Sequence, residues 1–394
     1  MSGCSGATAT PDSFDLLIDM VNGGDGRAFH AAVPEAATGD VLLVGGQDFA
    51  GLPLNALDFA ERYRSTGRNF TPEDTLTSST GRVAPQAGLS GTVLVVVSGQ
   101  DVGVASGATA PEFLSTGAPA TAGGETYDLN NPVSSGTFTL TGGARSGAMV
   151  VDADGNLYLI GGRDSGGTLS SDIRLYAGGN FSTVAANLTT AREGHSATLL
   201  SDGTILVVGG WGNGGILLQS AEIFDPDPSY TVGPAGNPIL PRAGHRAVAS
   251  ADGTRVLIHG GFKAVDTLAG TSVDTEVSEV YDVGLNSFTA VVSAVSPVAR
   301  VYHTATRLSN GEVLLAGGVN DDAGTVTNGA QLFRFVGSTG EFRNSADTLN
   351  FARFGHTATL LADGSVLIAG GLADGTASSG SLVAAAERYI PEVR

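Results

Sequence analysis

Seven arginines recur along the chain, Arg27, Arg82, Arg145, Arg192, Arg242, Arg300 and Arg353, and in five copies a histidine follows three residues later, as in Ala352-Arg353-Phe354-Gly355-His356. A ring of guanidinium groups could hold an anion through paired hydrogen bonds. A ring of imidazoles could ligate a metal. Both patterns have a structural explanation that the spacing favours. Five repeats carry a glutamate further on, Glu61, Glu125, Glu222, Glu279 and Glu387, so a repeated Arg–Glu strut accounts for the arginines without a ligand. One histidine per repeat would set the imidazoles tens of ångströms apart around a ring, too far to share a metal. They are expected to pack the repeats and to bond backbone. His259 stands outside the pattern, where other copies place Val, Ile or Ala, and is expected to be a satisfied buried histidine.

The elements that position these residues repeat with them. After each arginine phrase a short apolar strand runs into a turn: Thr38-Gly39, Ser90-Gly91, Asp154-Gly155, Asp202-Gly203, Asp252-Gly253, Asn310-Gly311 and Asp363-Gly364. Asp-Gly and Asn-Gly between apolar runs predict hairpins with both turn residues at positive φ. A β-branched run follows, such as Ile205–Val208, of the kind buried on both faces. It stops at a glycine pair: Gly45-Gly46, Gly161-Gly162, Gly209-Gly210, Gly260-Gly261, Gly317-Gly318 or Gly370-Gly371. The pair is expected to let backbone pass close to the aromatics of the third and fourth strands. A third strand pairs an acid with an aromatic, as in Glu279 and Tyr281; two copies depart, with Arg174 and Gln331 in the acid position. A fourth strand opens on an aromatic in six copies, Phe70, Phe138, Phe181, Tyr230, Phe288 and Phe342. The seventh is missing after Tyr389, but Phe14 stands before Arg27 much as Phe70 stands before Arg82. The N-terminal segment, about 13–20, is therefore expected to complete the last unit.

Four-stranded units of about 50 residues, with a glycine pair closing the second strand and a Glu-x-Tyr/Phe third strand, resemble kelch repeats. The resemblance covers nearly the whole chain and is closest to bacterial kelch proteins, in which phenylalanine replaces a tryptophan common elsewhere. It implies an all-β, seven-bladed β-propeller of four-stranded antiparallel blades, closed by the N-terminal strand. Residues 1–12 are then a flexible tail and 13–394 one propeller domain. Galactose oxidase shares the kelch architecture. Its copper chemistry needs a Tyr–Cys cross-link and histidine ligands, and the sole cysteine here, Cys4, lies in the tail. That chemistry is excluded, and no cofactor is expected.

Composition narrows the partners. The 394 residues carry 39 acidic and 20 basic side chains, a net charge of −19 that would repel nucleic acid and anionic lipid. No apolar run is long enough to span a membrane. The opening Ser2-Gly3-Cys4-Ser5-Gly6 resembles the end of a bacterial lipoprotein signal, which makes Cys4 a lipidation candidate; the other reading is an unstructured tail with an incidental cysteine. The expected location is extracytoplasmic: secreted, periplasmic or surface-anchored. No Gly-x-Ser-x-Gly elbow, His-Glu-x-x-His helix or phosphate loop appears, so no catalytic residue or metal ligand is assigned.

Recognition remains. In a four-stranded meander the Asp-Gly hairpins occupy one face. The loops after the glycine pairs occupy the other, and their variable length marks them as binding loops on a rigid scaffold. Candidate contact residues are Gln47, Asp48 and Phe49; Arg163 and Asp164; Trp211 and Asn213; Phe262 and Lys263; and Asn320, Asp321 and Asp322, the last two also a weak cation candidate. Trp211, the sole tryptophan, would suit a sugar ring or a partner side chain if exposed; otherwise it packs over its own loop. The expected function is a non-catalytic scaffold that holds a protein partner. The alternatives are a carbohydrate-binding propeller or a cofactor-independent, mutarotase-like sugar enzyme, which would need paired carboxylates, or a His and a carboxylate, at the channel.

Overall fold

The computed structural model describes residues 12–20, 27–48, 55–57, 59–75, 85–97, 123–128, 136–139, 147–163, 168–227, 229–266, 271–274, 277–320, 325–373 and 382–392. Their strands gather into seven four-stranded antiparallel sheets and three two-stranded ribbons. The first strands of the sheets are Ala31–Pro34, Gln86–Ser90, Ala148–Val151, Ser196–Leu199, Arg246–Ala249, Thr304–Arg307 and Thr357–Leu360, and each packs against the next in a circuit that returns to its start. This is an all-β propeller of four-stranded blades. Among the described residues there is no α-helix, only a 3-10 turn at Asn213–Gly215, and no helix is long and apolar enough to cross a membrane.

The second strands behave as their composition predicts. Val41–Val44, Leu157–Ile160, Ile205–Val208, Val313–Ala316 and Val366–Ala369 are buried at every position. Their side chains alternate between the two neighbouring blade interfaces, so Leu206 and Val208 join one apolar cluster and Ile205 and Val207 another. Third and fourth strands meet through their aromatics. Tyr63 sits opposite Phe70, Tyr176 opposite Phe181, Tyr281 opposite Phe288 and Phe333 opposite Phe342, with ring centroids 4.9–5.3 Å apart.

The last blade takes its fourth strand from the other end of the chain. Ser13–Asp19 pairs antiparallel with Ala385–Ile390, and Phe14 lies opposite Tyr389 with centroids 5.0 Å apart, the same aromatic pair found elsewhere. Asp12 does not belong to a flexible tail. It is buried, and it accepts hydrogen bonds from Tyr389 Oη at 2.6 Å, Arg343 Nη1 at 2.6 Å and the Glu392 amide at 3.2 Å. These bonds hold its carboxyl below the usual range although burial opposes them. Residues 1–11, with Cys4, lie outside the described residues.

Two local expectations need correction. The Asp-Gly hairpins do not place both residues at positive φ: Gly203 has φ +86°, whereas Asp202 is not left-handed. The Gly203 amide bonds the Leu200 carbonyl at 3.2 Å and the Leu200 amide bonds the Thr204 carbonyl at 2.8 Å, the signature of a type I turn followed by one left-handed glycine. Asp202 Oδ1 accepts from the Thr204 amide at 3.0 Å, which suits the aspartate to the central position of that turn. The glycine pairs, for their part, do not make room for the aromatics. A Cβ on Gly209 would lie 2.4 Å from the Arg242 carbonyl oxygen of the next blade, and one on Gly210 would lie 2.6 Å from the Glu193 carbonyl oxygen of its own blade. Both glycines have positive φ as well. The pair is where two arginine phrases close on one strand end.

Candidate functional site

The repeat charges are spent inside the ring. Arg27 meets Glu61 at 2.9 Å, Arg192 meets Glu222 at 2.5 Å, Arg353 meets Glu387 at 2.5 Å, and Arg242 meets Glu279, all eight side chains being buried. Each arginine also donates to the carbonyl of the first glycine of its pair or its neighbourhood: Arg192 to Gly209 at 2.8 Å, Arg242 to Gly260 at 3.1 Å, Arg353 to Gly370 at 2.9 Å and Arg27 to Gly45 at 3.0 Å. The glutamates accept in turn from the segment that enters the blade. Glu387, for example, takes the amides of Asn350 at 2.6 Å and Phe351 at 3.1 Å. One Arg–Glu pair thus ties together the entry segment, the second strand and the third strand. Arg300 keeps the bonds to Gly317 and Gly329 at 3.0 and 3.1 Å. Its blade supplies Gln331, whose Oε1 takes the Val298 amide at 2.9 Å, and burial lowers Arg300 to about 10. Arg174, the other departure, pairs with Asp172 at 2.6 Å. Arg82, Arg145 and the side chain of Glu125 lie outside the described residues.

The histidines differ from expectation in two respects. They bond hydroxyls of the preceding blade, not only backbone: His30 shares a bond with Thr357 at 2.8 Å, His245 with Ser196 at 2.8 Å and His356 with Thr304 at 3.0 Å. Four of them also face one common space. His30, His195, His245 and His356 line one axial cavity of about 510 Å³, because their repeat position opens the innermost strand. All are buried. Burial first, then the charge of the neighbouring arginine, holds His195 down at about 3 and His30, His245 and His356 well below the usual value. His259 is buried and bonds Ser278 Oγ through Nδ1 at 2.9 Å, with its ring 5.0 Å from that of His303.

At the face where the phrases meet, the residue after the glycine pair bridges, in five blades, backbone to backbone with the residue after its own arginine. Gln47 pairs with Ala28, Trp211 with Glu193, Phe262 with Ala243, Val319 with Val301 and Leu372 with Phe354. This geometry overturns two loop-face candidates. Gln47 is fully buried and Phe262 is 1% exposed, because the ladder turns both toward the axis. Phe262 belongs to an apolar cluster over the cavity mouth with Tyr302 and Phe354, against which Phe29 and Trp211 pack. Trp211 is half-buried, 5.6 Å from Phe262 and tight over Gly194. It packs over Gly194 of its own blade and against Phe262 of the next. Phe29 and Tyr302 hold φ +52° where other blades use Gly194, Gly244 and Gly355; strain of this kind costs about 1–3 kcal/mol and persists where the surroundings impose it.

The remaining candidates are placed as follows. Arg163 is committed to Glu193 of the next blade, Nε at 2.9 Å and Nη2 at 2.5 Å. Asn213 is exposed, while Lys263 and Asn320 are half-buried. The Asp48 side chain, Phe49, Asp164, Asp321 and Asp322 lie outside the described residues. The sequence reading missed the exposed apolar residues of this face: Ile216 in a post-glycine loop, and Ile239, Val298 and Phe351 in segments that enter the arginine phrases. Gln219 donates to the carbonyls of Pro238 and Ile239 at 3.0 and 2.8 Å, joining the loop of Ile216 to the segment of Ile239. Their hydrophobicity was visible, but only the blade packing shows that no neighbour covers them.

A closed circuit of four-stranded blades built on Arg–Glu struts and glycine pairs defines a kelch-type β-propeller. The profile of the Attractin/LZTR1 beta-propeller family matches residues 128–379, and the chain belongs to that family. Comparison with curated proteins gives no match.

Proposed function

We propose that this chain is a non-catalytic scaffold, a ring of seven blades in one domain, that holds a protein partner on the face of the post-glycine loops. The observation that carries this reading is the exposure of Ile216, Ile239, Val298 and Phe351, from 38% to 67%, on a face otherwise fixed by struts and backbone bridges. Three of the four are aliphatic, and exposed apolar side chains on a rigid face favour a protein over a glycan, which would call for polar groups and stacked aromatics. Trp211 and Phe262, the rings best suited to a sugar, pack on each other instead. The seven-blade ring is supported by the seven described sheets and by the circuit of their first strands. An extracytoplasmic protein tethered through Cys4 fits the opening sequence, and intact-mass analysis of material from native membranes would reveal the lipid.

The test compares three proteins as bait in native envelope extract. The unchanged chain should retain a partner that Ile216→Asp with Ile239→Asp loses. Leu285→Asp, at a hairpin of the opposite face and 73% exposed in the native residue, should retain it. Equal retention by all three would refute a loop-face interaction, and a glycan-array signal that survives the Ile216 and Ile239 changes would move the assignment to sugar binding.

A further inference from the structure

The axial cavity holds one charged side chain among its described lining residues, Arg246. Its position in the repeat is the residue after the histidine, and in three other blades that position is Ser196, Thr304 or Thr357, each bonded to the histidine of the next blade. Arg246 breaks this pattern. Its Nε donates to the His303 carbonyl oxygen at 2.8 Å, while both ring nitrogens of buried His303 lack a hydrogen-bond partner. The substitution therefore forfeits a buried hydroxyl–imidazole bond and leaves that imidazole unsatisfied.

Beyond that bond to the His303 carbonyl, Arg246 gains no ionic partner among the described residues. The strut arginines Arg27, Arg192, Arg242 and Arg353 each face a buried glutamate. Among the described residues no carboxylate forms an ion pair with Arg246, in a chain with 39 acidic residues. The side chain is exposed to the cavity, yet protein surrounds it closely enough that burial lowers its pKa. The histidines beside it stay neutral. A single cation facing an enclosed space bounded by protein attracts an anion more strongly than a surface arginine does.

We propose that the cavity is a ligand site in which the terminal nitrogens of Arg246 clasp the carboxylate of a small organic monoanion. The planar guanidinium fork matches a carboxylate edge to edge. One cation balances one charge, which favours a monocarboxylate over a phosphate dianion. A cavity of about 510 Å³ lies in the range of small-molecule sites. Met149, Ala247 and Ala305 offer apolar wall to the body of the ligand, and Phe29 and Tyr302 bound the site at the loop face.

The test titrates lactate, benzoate and inorganic phosphate into the full chain at pH 7 by calorimetry, beside Arg246→Thr. The threonine restores the repeat residue and should bond His303, so the variant is expected to melt no lower than the unchanged chain. A saturable monocarboxylate isotherm, at least tenfold weaker in Arg246→Thr and absent with benzamide, is the expected result. A short peptide with a free C-terminus is run against its amide; binding of that peptide alone would place the carboxylate on a chain end and overturn the small-ligand assignment. Absence of binding by every probe, tighter binding of phosphate, or equal binding by the variant would each overturn the site. A melting temperature several degrees lower in Arg246→Thr would make Arg246 a packing residue and overturn it too.

Discussion

Arg353 and Glu387 show how this protein uses charge. Both are fully buried, and each bonds backbone as well as the other. Replacing one partner strands the other, so Arg353→Met is expected to destabilise the chain by about 3–5 kcal/mol, measurable by urea denaturation. The six buried histidines predict a pH dependence. Their native pKa values are lowered, chiefly by burial, so below the ordinary value of about 6.5 the unfolded chain takes up protons that the native chain refuses. Stability is unaffected above that value and falls as pH drops below it; for His195, held at about 3, the loss between pH 7 and pH 5 is about 2 kcal/mol. Acid unfolding should begin near pH 5, and His195→Gln should flatten the profile by about one proton's share. A profile that is level down to pH 4 would show that these imidazoles titrate freely in the native state.

At the level of strands and turns, the turn glycines and the paired glycines differ in what surrounds them. Gly209 and Gly203 both have positive φ, but a Cβ on Gly209 would strike the Arg242 carbonyl at 2.4 Å, whereas one on Gly203 would meet nothing within 4 Å. Gly203→Ala should therefore cost only the left-handed conformation, about 1–2 kcal/mol. Gly209→Ala adds a backbone clash between blades and should cost at least twice as much, by the same denaturation measurement. Equal costs would mean that the blade interface yields where the geometry says it cannot. The glycine spacing was plain in the sequence. Its reason was not, because the obstructing atoms belong to the following blade.

For the molecule as a whole, closure joins the two ends of the chain. Ser13–Asp19 covers the outer edge of Ala385–Ile390, and Asp12 bonds Tyr389, Arg343 and Glu392. Removing residues 1–20 would expose a strand edge and the face of Tyr389, and should lower the melting temperature by more than 10 °C and promote association. A truncated chain that melts with the full one would place closure elsewhere. Asp12→Ala alone leaves the strand pairing intact and should cost about 1–3 kcal/mol through Arg343 and Tyr389.

The sequence by itself determined the repeat, the strand order within a blade, the Arg–Glu struts and the use of Phe14 as the missing aromatic. These features depend on contacts within a blade or on a pattern that recurs, and recurrence is visible in a string of letters. Only the tertiary structure decided where the repeated side chains meet. It drew four histidines to one axial cavity and turned Gln47 and Phe262 inward. It also left Arg246 facing the cavity with no carboxylate partner among the described residues, and Ile216 and Ile239 uncovered. The physical reason is that each of these outcomes depends on the angle between neighbouring blades. That angle is set by packing two whole sheets face to face, which no local spacing encodes.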